Sequence, residues 1–96
     1  MNIFQNLAIK PPAAPELIGA AASKLKLRPQ QTSKSITKAN TYFTKGFAGS
    51  SAPSSVAAVA VYNSSDKTQK QVSAAFGISE TTLRNTRKRI MKNGGK

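Results

Sequence analysis

Basic side chains recur at helical spacing near the C-terminal end of the chain, and they are the residues best suited to chemistry. They are Arg84, Arg87, Lys88, Arg89 and Lys92. An arginine guanidinium can donate two parallel hydrogen bonds to one partner, and a lysine ammonium supplies a mobile positive charge. Leu83, Ile90 and, more weakly, Thr86 share a face that would pack inward. The segment 79–93 is therefore predicted to be a helix that exposes cations, either towards a ligand or merely as the charged surface of a bundle.

A short helix is predicted just before this segment. Thr68 and Gln71 form a T-x-x-Q capping box, in which the threonine hydroxyl accepts from the third helical N–H and the glutamine reaches back to the N-cap. Val72, Ala75 and Phe76 then recur at the spacing of one helix face. These signals predict a helix that begins at Thr68 and buries one side.

A tight turn is predicted between the two helices. Gly77 suits the left-handed conformation that ends a helix, and Ile78 returns to the core. Ser79 can cap the next helix, whose positive N-terminal end favours the carboxylate of Glu80. Two short helices joined by a glycine-containing turn, the second one basic, can place a recognition helix in the DNA major groove. The stretch 68–91 therefore predicts a helix-turn-helix.

The charge balance of the whole chain supports a polyanionic partner. Its 96 residues contain 15 Lys and Arg against three acids, which gives a net charge of +12. Such an excess in one small domain is typical of nucleic-acid binding, although a ribosomal-type basic protein would share it. No basic helix has the strong aromatic or leucine face of a membrane-surface helix, and no apolar run is long enough to span a bilayer.

Catalysis is not indicated. The chain has no cysteine and no histidine, and its acids Glu16, Asp66 and Glu80 are scattered. Zinc ligands, thiol nucleophiles and acid–base pairs are therefore missing from the sequence. We expect no enzyme activity, no metal, no cofactor and no small-molecule substrate, and we expect an intracellular protein.

The N-terminal half predicts two helices after a lead segment. Residues 1–14 are predicted to be a linker or a partly ordered segment: Ile3, Phe4 and Leu7 could make one packed helical turn or belong to a disordered lead, and Pro11-Pro12 would end any helix. A first helix is predicted over about 15–26, with Gly19 serving close packing at a cost of about 1 kcal/mol. A second helix is predicted from 30 to about 44. Its inward stripe is Ile36, Ala39, Tyr42, Phe43 and Phe47.

The segment 54–63 is apolar nearly all round. Its valines favour a buried strand, whereas its alanines and the Pro-Ser-Ser at 53–55 favour a buried helix. We predict a central helix, which other helices must surround because it has no polar face. The preceding stretch 46–53 is predicted to be a loop by its composition.

This order of elements resembles one cyclin-type repeat of the transcription factor IIB family. Four strings are similar to family segments: ASKLKL at 22–27, APSSVAAVAVY at 52–62, TQKQV at 68–72 and GISETTLRN at 77–85. The resemblance implies an all-α fold, a five-helix cyclin-like bundle over 15–92 with a disordered tail at 93–96. Family members usually have a zinc ribbon and two repeats, whereas this chain has no cysteine and room for one repeat.

The resemblance also implies a DNA-reading role for the last helix, which in the second repeat of the family enters the major groove beside the TATA box. Carried over by position, the base-reading residues are Thr81 and Arg84. We expect the DNA backbone to be contacted by Thr68, Gln69, Lys70, Arg87, Lys88 and Lys92. Phosphate contacts of this kind position a domain without reading sequence.

The expected partner is double-stranded DNA, with a TATA-binding protein as a further candidate and the chain acting as a monomer. A protein-interaction module is the alternative, because cyclin-type repeats also dock on a TATA-binding protein, a polymerase or a kinase. RNA binding by charge alone is less favoured, since few aromatic side chains are left to stack on bases.

Overall fold

Five α-helices make up the part of the chain that the computed structural model describes, residues 14–47, 49 and 51–94. They are α1 (Ala14–Leu25), α2 (Pro29–Lys45), α3 (Pro53–Ser64), α4 (Gln69–Phe76) and α5 (Glu80–Lys92). No strand occurs among these described residues. The predicted all-α, five-helix bundle is confirmed. The predicted segment 1–14 lies outside the description apart from Ala14, and so do residues 95 and 96 of the predicted tail.

Helix α3 is the centre of the bundle. Every residue from Ser55 to Val61 is buried, and α3 contacts each of the other four helices. The prediction of a buried helix rather than a strand over 54–63 is therefore confirmed. Valine and alanine side chains are small, so the surrounding helices can approach α3 closely on every side.

Helices α1 and α2 match the predicted segments to within a residue or so at each end. The inward side of α2 differs slightly from its predicted stripe, because Ser35, Ala39 and Tyr42 are its buried residues. Ile36 and Phe43 pack against the core while staying half-buried. The most buried face of α2 is therefore turned slightly away from the predicted stripe, and Ile36 and Phe43 lie at the edge of that face.

The predicted capping signals at α4 and α5 are present in full. The hydroxyl of Thr68 accepts from the backbone N–H of Gln71 at 3.1 Å, and the Gln71 side chain accepts from the N–H of Thr68 at 3.0 Å. Gly77 ends α4 with φ at 68°. Ser79 Oγ then accepts from the N–H of Thr82 at 3.0 Å and begins α5. These local contacts fix the three-residue turn between the two helices.

Gly19 was predicted to serve close packing, and this is wrong. It is exposed, and a Cβ built at this position would meet no atom within 4 Å. Gly77 is equally free of steric contact, but its positive φ strains any L side chain. Gly19 therefore affects stability only through its low helix propensity, whereas Gly77 is required for its left-handed backbone conformation.

Substitution of each glycine by alanine should change stability in opposite directions. Gly19→Ala should raise the free energy of unfolding by about 0.5–1 kcal/mol, because alanine loses less backbone entropy in a helix. Gly77→Ala should lower it by about 1 kcal/mol through left-handed strain. Urea unfolding followed by circular dichroism would measure both, and a shift in the same direction for both variants would contradict this assignment.

Candidate nucleic-acid interface

Three buried side chains anchor α5 to the bundle. Leu83 and Ile90 are completely buried, and Thr86 is 6% exposed. They are spaced so that they share one face of the helix, which packs against α3 and α4. Because this face is buried, the opposite face of α5 points towards solvent.

That outward face has a stripe of polar and basic residues at i, i+3, i+7 and i+11. We call it the α5 stripe, and its members are Thr81, Arg84, Lys88 and Lys92. All four are exposed. Within the described part of the chain, no side-chain hydrogen bond or ion pair engages them. The charged groups of Arg84, Lys88 and Lys92 are thus accessible from solvent.

Arg87 lies on one flank of α5 and is held by the domain itself. Its Nε donates to Asn63 Oδ1 at 3.2 Å, and its Cζ lies 5.4 Å from the centroid of the Tyr62 ring. Asn63 Nδ2 in turn donates to the hydroxyl of the buried Tyr42 at 3.1 Å. This network joins α2, α3 and α5, so Arg87 fixes the orientation of α5 on this side.

Arg89 lies on the other flank of α5. Its Nη1 donates to Ser51 Oγ at 2.8 Å, just before α3 begins. Close to it, Asn93 Nδ2 donates to the carbonyl oxygen of Phe47 at 2.7 Å. Asn93 and Gly94, predicted as part of a tail, continue the end of α5 with backbone hydrogen bonds. The sequence carries no signal for these contacts, because the partners are far apart in the chain.

The residues predicted to touch the DNA backbone from α4 lie at its start. Thr68 and Lys70 are exposed and Gln69 is half-buried. Thr68 is occupied in the capping box, whereas the ammonium group of Lys70 has no partner among the described residues. The structure therefore gathers Thr81, Arg84, Lys88 and Lys92 on one face of α5 and leaves Arg87 on a flank of that helix. The other three predicted residues, Thr68, Gln69 and Lys70, lie at the start of α4.

No metal-binding constellation occurs in residues 14–47, 49 and 51–94, where no three metal-ligating side chains come together. Among the same residues, no helix combines the length and apolar character needed to cross a bilayer. The chemistry offered by this surface is hydrogen bonding and positive charge.

The chain is similar to transcription initiation factor IIB of Methanococcus maripaludis (strain C5), with 31% identity over 93 residues. The aligned part covers 92% of this chain and 27% of that factor, so the chain spans about a quarter of the length of the curated relative it matches. The chain is distantly related to the factor IIB family. No protein-family model matches it. The relation is to a transcription factor and not to an enzyme, as the sequence predicted.

Removal of the Asn63 side chain should destabilise the domain. Asn63→Ala deletes one donor and one acceptor that link Tyr42 to Arg87, and we expect the free energy of unfolding to fall by about 1–3 kcal/mol. The exposed Asn85→Ala, a matched control on α5, should stay within about 0.5 kcal/mol of the unchanged protein. Chemical denaturation of the two variants side by side would measure this, and equal effects would exclude a stabilising network.

Proposed function

We propose that the chain is a DNA-binding domain of the factor IIB type that acts in transcription initiation or its regulation. Its C-terminal helix α5 inserts into the major groove near promoters, and α4 with α5 works as the helix-turn-helix. The observation that carries the proposal is the α5 stripe, defined above as Thr81, Arg84, Lys88 and Lys92. It faces outward on a helix that Leu83 and Ile90 anchor to the core, and no described residue bonds to its side chains.

Base reading is assigned to Thr81 and Arg84 at the N-terminal half of α5. The guanidinium of Arg84 is exposed and can donate to O6 and N7 of one guanine, a pair worth about 1–3 kcal/mol of discrimination. Thr81 can contact a thymine methyl group or a base edge. The N-terminal part of a recognition helix is the part that lies closest to the base edges.

Backbone contacts are assigned to the lysines and to the flanking arginine. Lys88 and Lys92 follow Arg84 along the α5 stripe. They lie in the C-terminal half of the helix, farther from the base edges, where a lysine can reach the phosphates. Arg87 keeps guanidinium donors beyond the Nε that it gives to Asn63, and these can meet a phosphate. Thr68, Gln69 and Lys70 supply a second set of contacts from α4. Such contacts fix the register of the domain on the duplex.

The relation to factor IIB supports further proposals about partners and location. The related factor is named as a transcription initiation factor, and the family resemblance implies a TATA-binding protein beside the DNA. We propose that the chain acts as a monomer inside the cell, in the cytoplasm or nucleoid of an archaeal or viral system and in the nucleus of a eukaryotic one.

Duplex titration at several salt concentrations tests the proposal, using duplexes with and without a purine-rich element beside a TATA-like sequence. Each neutralised phosphate should contribute about −0.9 to the log–log dependence of affinity on salt. Lys92→Ala should weaken binding to all duplexes alike and reduce this slope by about one unit. Arg84→Ala should lose mainly the preference between duplexes.

The matched control is Arg84→Lys, which keeps the charge and removes the planar fork. It should preserve the salt slope and lose the sequence preference. A flat salt response of the unchanged protein would exclude DNA binding. Identical behaviour of the Arg84 and Lys92 variants would show that Arg84 does not read bases.

A second candidate function, docking on a protein, is favoured by a separate basic cleft between α1 and α4. Lys24, Lys26 and Lys67 line it together with Leu25 and Ala74. Such a lining suits an acidic segment with an apolar anchor. Chemical-shift mapping separates the two functions: perturbation confined to 15–62 and the cleft with a TATA-binding protein would favour docking, whereas perturbation along α5 with DNA favours the first proposal.

A further inference from the structure

A cavity lies between the start of α3 and the Arg89 flank of α5. Its volume is about 280 Å³, and it is lined by Ser51, Ser55, Thr82, Asn85, Thr86 and Arg89 among others. Among the residues that the structure describes, no carboxylate lines it. Every polar group at its wall is a hydroxyl, an amide or a guanidinium, so the lining can donate hydrogen bonds and offers a single, positive charge.

Two hydroxyls in this lining are nearly buried and have no partner. Ser55 is 3% exposed and Thr86 is 6% exposed, and neither side chain makes a hydrogen bond within the described part of the chain. Neither hydroxyl is among the sealed, unsatisfied atoms of those residues, a group that contains only Ser64 Oγ. The two hydroxyls therefore open onto the cavity. Because these hydroxyls have no partner within the described residues, they are free to bond to a ligand in the cavity.

The N-terminus of α3 adds unpaired backbone donors to the same place. Its N-cap is Ala52, which has no side chain to accept from the first turn, and Pro53 has no N–H. The N–H groups of Ser54 and Ser55 consequently lack a capping acceptor. Because α3 is a helix of 12 residues, its macrodipole also favours negative charge at this end. Helices α4 and α5, by contrast, are capped by their own hydroxyls.

Arg89 adds a guanidinium group to the lining of the cavity. One of its guanidinium nitrogens is bonded to Ser51 Oγ, which holds the side chain over the start of α3. The remaining N–H groups stay available as charge-assisted donors. Hydroxyls, helix N–H groups and one fixed arginine together match the oxygens of a phosphate.

We propose that this cavity binds one phosphodiester of the DNA backbone, an inference that rests on the DNA-binding function proposed above. The lining residues of α5 lie about a quarter-turn around the helix from the α5 stripe. When the stripe faces base edges, this flank faces one wall of the groove, and the walls of the major groove are the phosphate backbones. A phosphate seated at α3 would tie the duplex to the central helix of the bundle.

Deletion of the lining groups tests the site with a short duplex that has the purine-rich element. Ser55→Ala and Thr86→Val should each weaken binding by about three- to tenfold at unchanged salt slope, because neutral donors displace no counterions. Arg89→Ala should weaken binding to all duplexes and reduce the slope by about one unit. Thr41→Val on the distant helix α2 and Arg28→Ala at the N-cap of that helix are the matched controls and should leave affinity nearly unchanged.

The unchanged protein provides a second readout that needs no variant to fold. In its complex with the duplex, the backbone amide signals of Ser54 and Ser55 should shift, as expected for N–H groups that donate to a phosphate. If the protein binds DNA but these amides do not move, or the cavity variants bind as the controls do, the phosphate site is overturned while the DNA-binding function stands. Absence of any duplex binding would overturn both.

Discussion

The whole arrangement depends on the burial of a helix that has no polar side. Helix α3 consists of valine, alanine and serine over its central turns, and every residue from Ser55 to Val61 is buried. A helix that is apolar all round is stable only when other helices surround it. The four remaining helices surround α3, and the apolar face of each is the one that contacts α3. The burial of α3 therefore also determines which face of each surrounding helix is exposed.

Helix α5 illustrates how packing around α3 determines which residues are exposed. Leu83 and Ile90 hold it against the core, and the two flanking arginines fasten it on both sides, through Asn63 at one side and Ser51 at the other. Both tethers end at residues that border α3. Rotation of α5 about its own axis is thereby opposed by hydrophobic packing below and by hydrogen bonds at each flank. A helix fixed in this way presents its outward residues in one orientation, which is what recognition by side chains demands.

The sequence predicted the elements well because the local signals agreed with one another. The Thr68 and Gln71 capping box, the left-handed Gly77 and the Ser79 cap each have a physical meaning that does not depend on the rest of the fold, and each is present. The helical state of 54–63 was harder to predict, since period alone does not separate buried helix from buried strand. Its alanines and the proline at its start favoured the helix correctly.

The roles of individual polar residues could not be predicted in the same way. Arg87, Lys88 and Arg89 are consecutive and chemically alike, yet only Lys88 is unengaged within the described residues, because Asn63 and Ser51 are brought to its neighbours by tertiary packing. The cavity beside α3 was missed for the same reason. Ser55 and Thr86 are ordinary residues in the sequence, and nothing local indicates that both line one cavity between α3 and α5. Lys26 adopts a positive φ of 55°, which a lysine rarely takes. The sequence around Lys26 does not predict this conformation.

The small side chains of α3 also have an evolutionary consequence. Successive residues of a helix point about 100° apart, so Ala57, Ala58 and Ala60 act as spacers towards different neighbours. Enlarging one of them by a methyl group would push a single surrounding helix outward and leave the others in place. The tilt of α5 relative to the bundle could therefore drift across related proteins through changes at these interior positions, without any alteration of the residues that meet a partner.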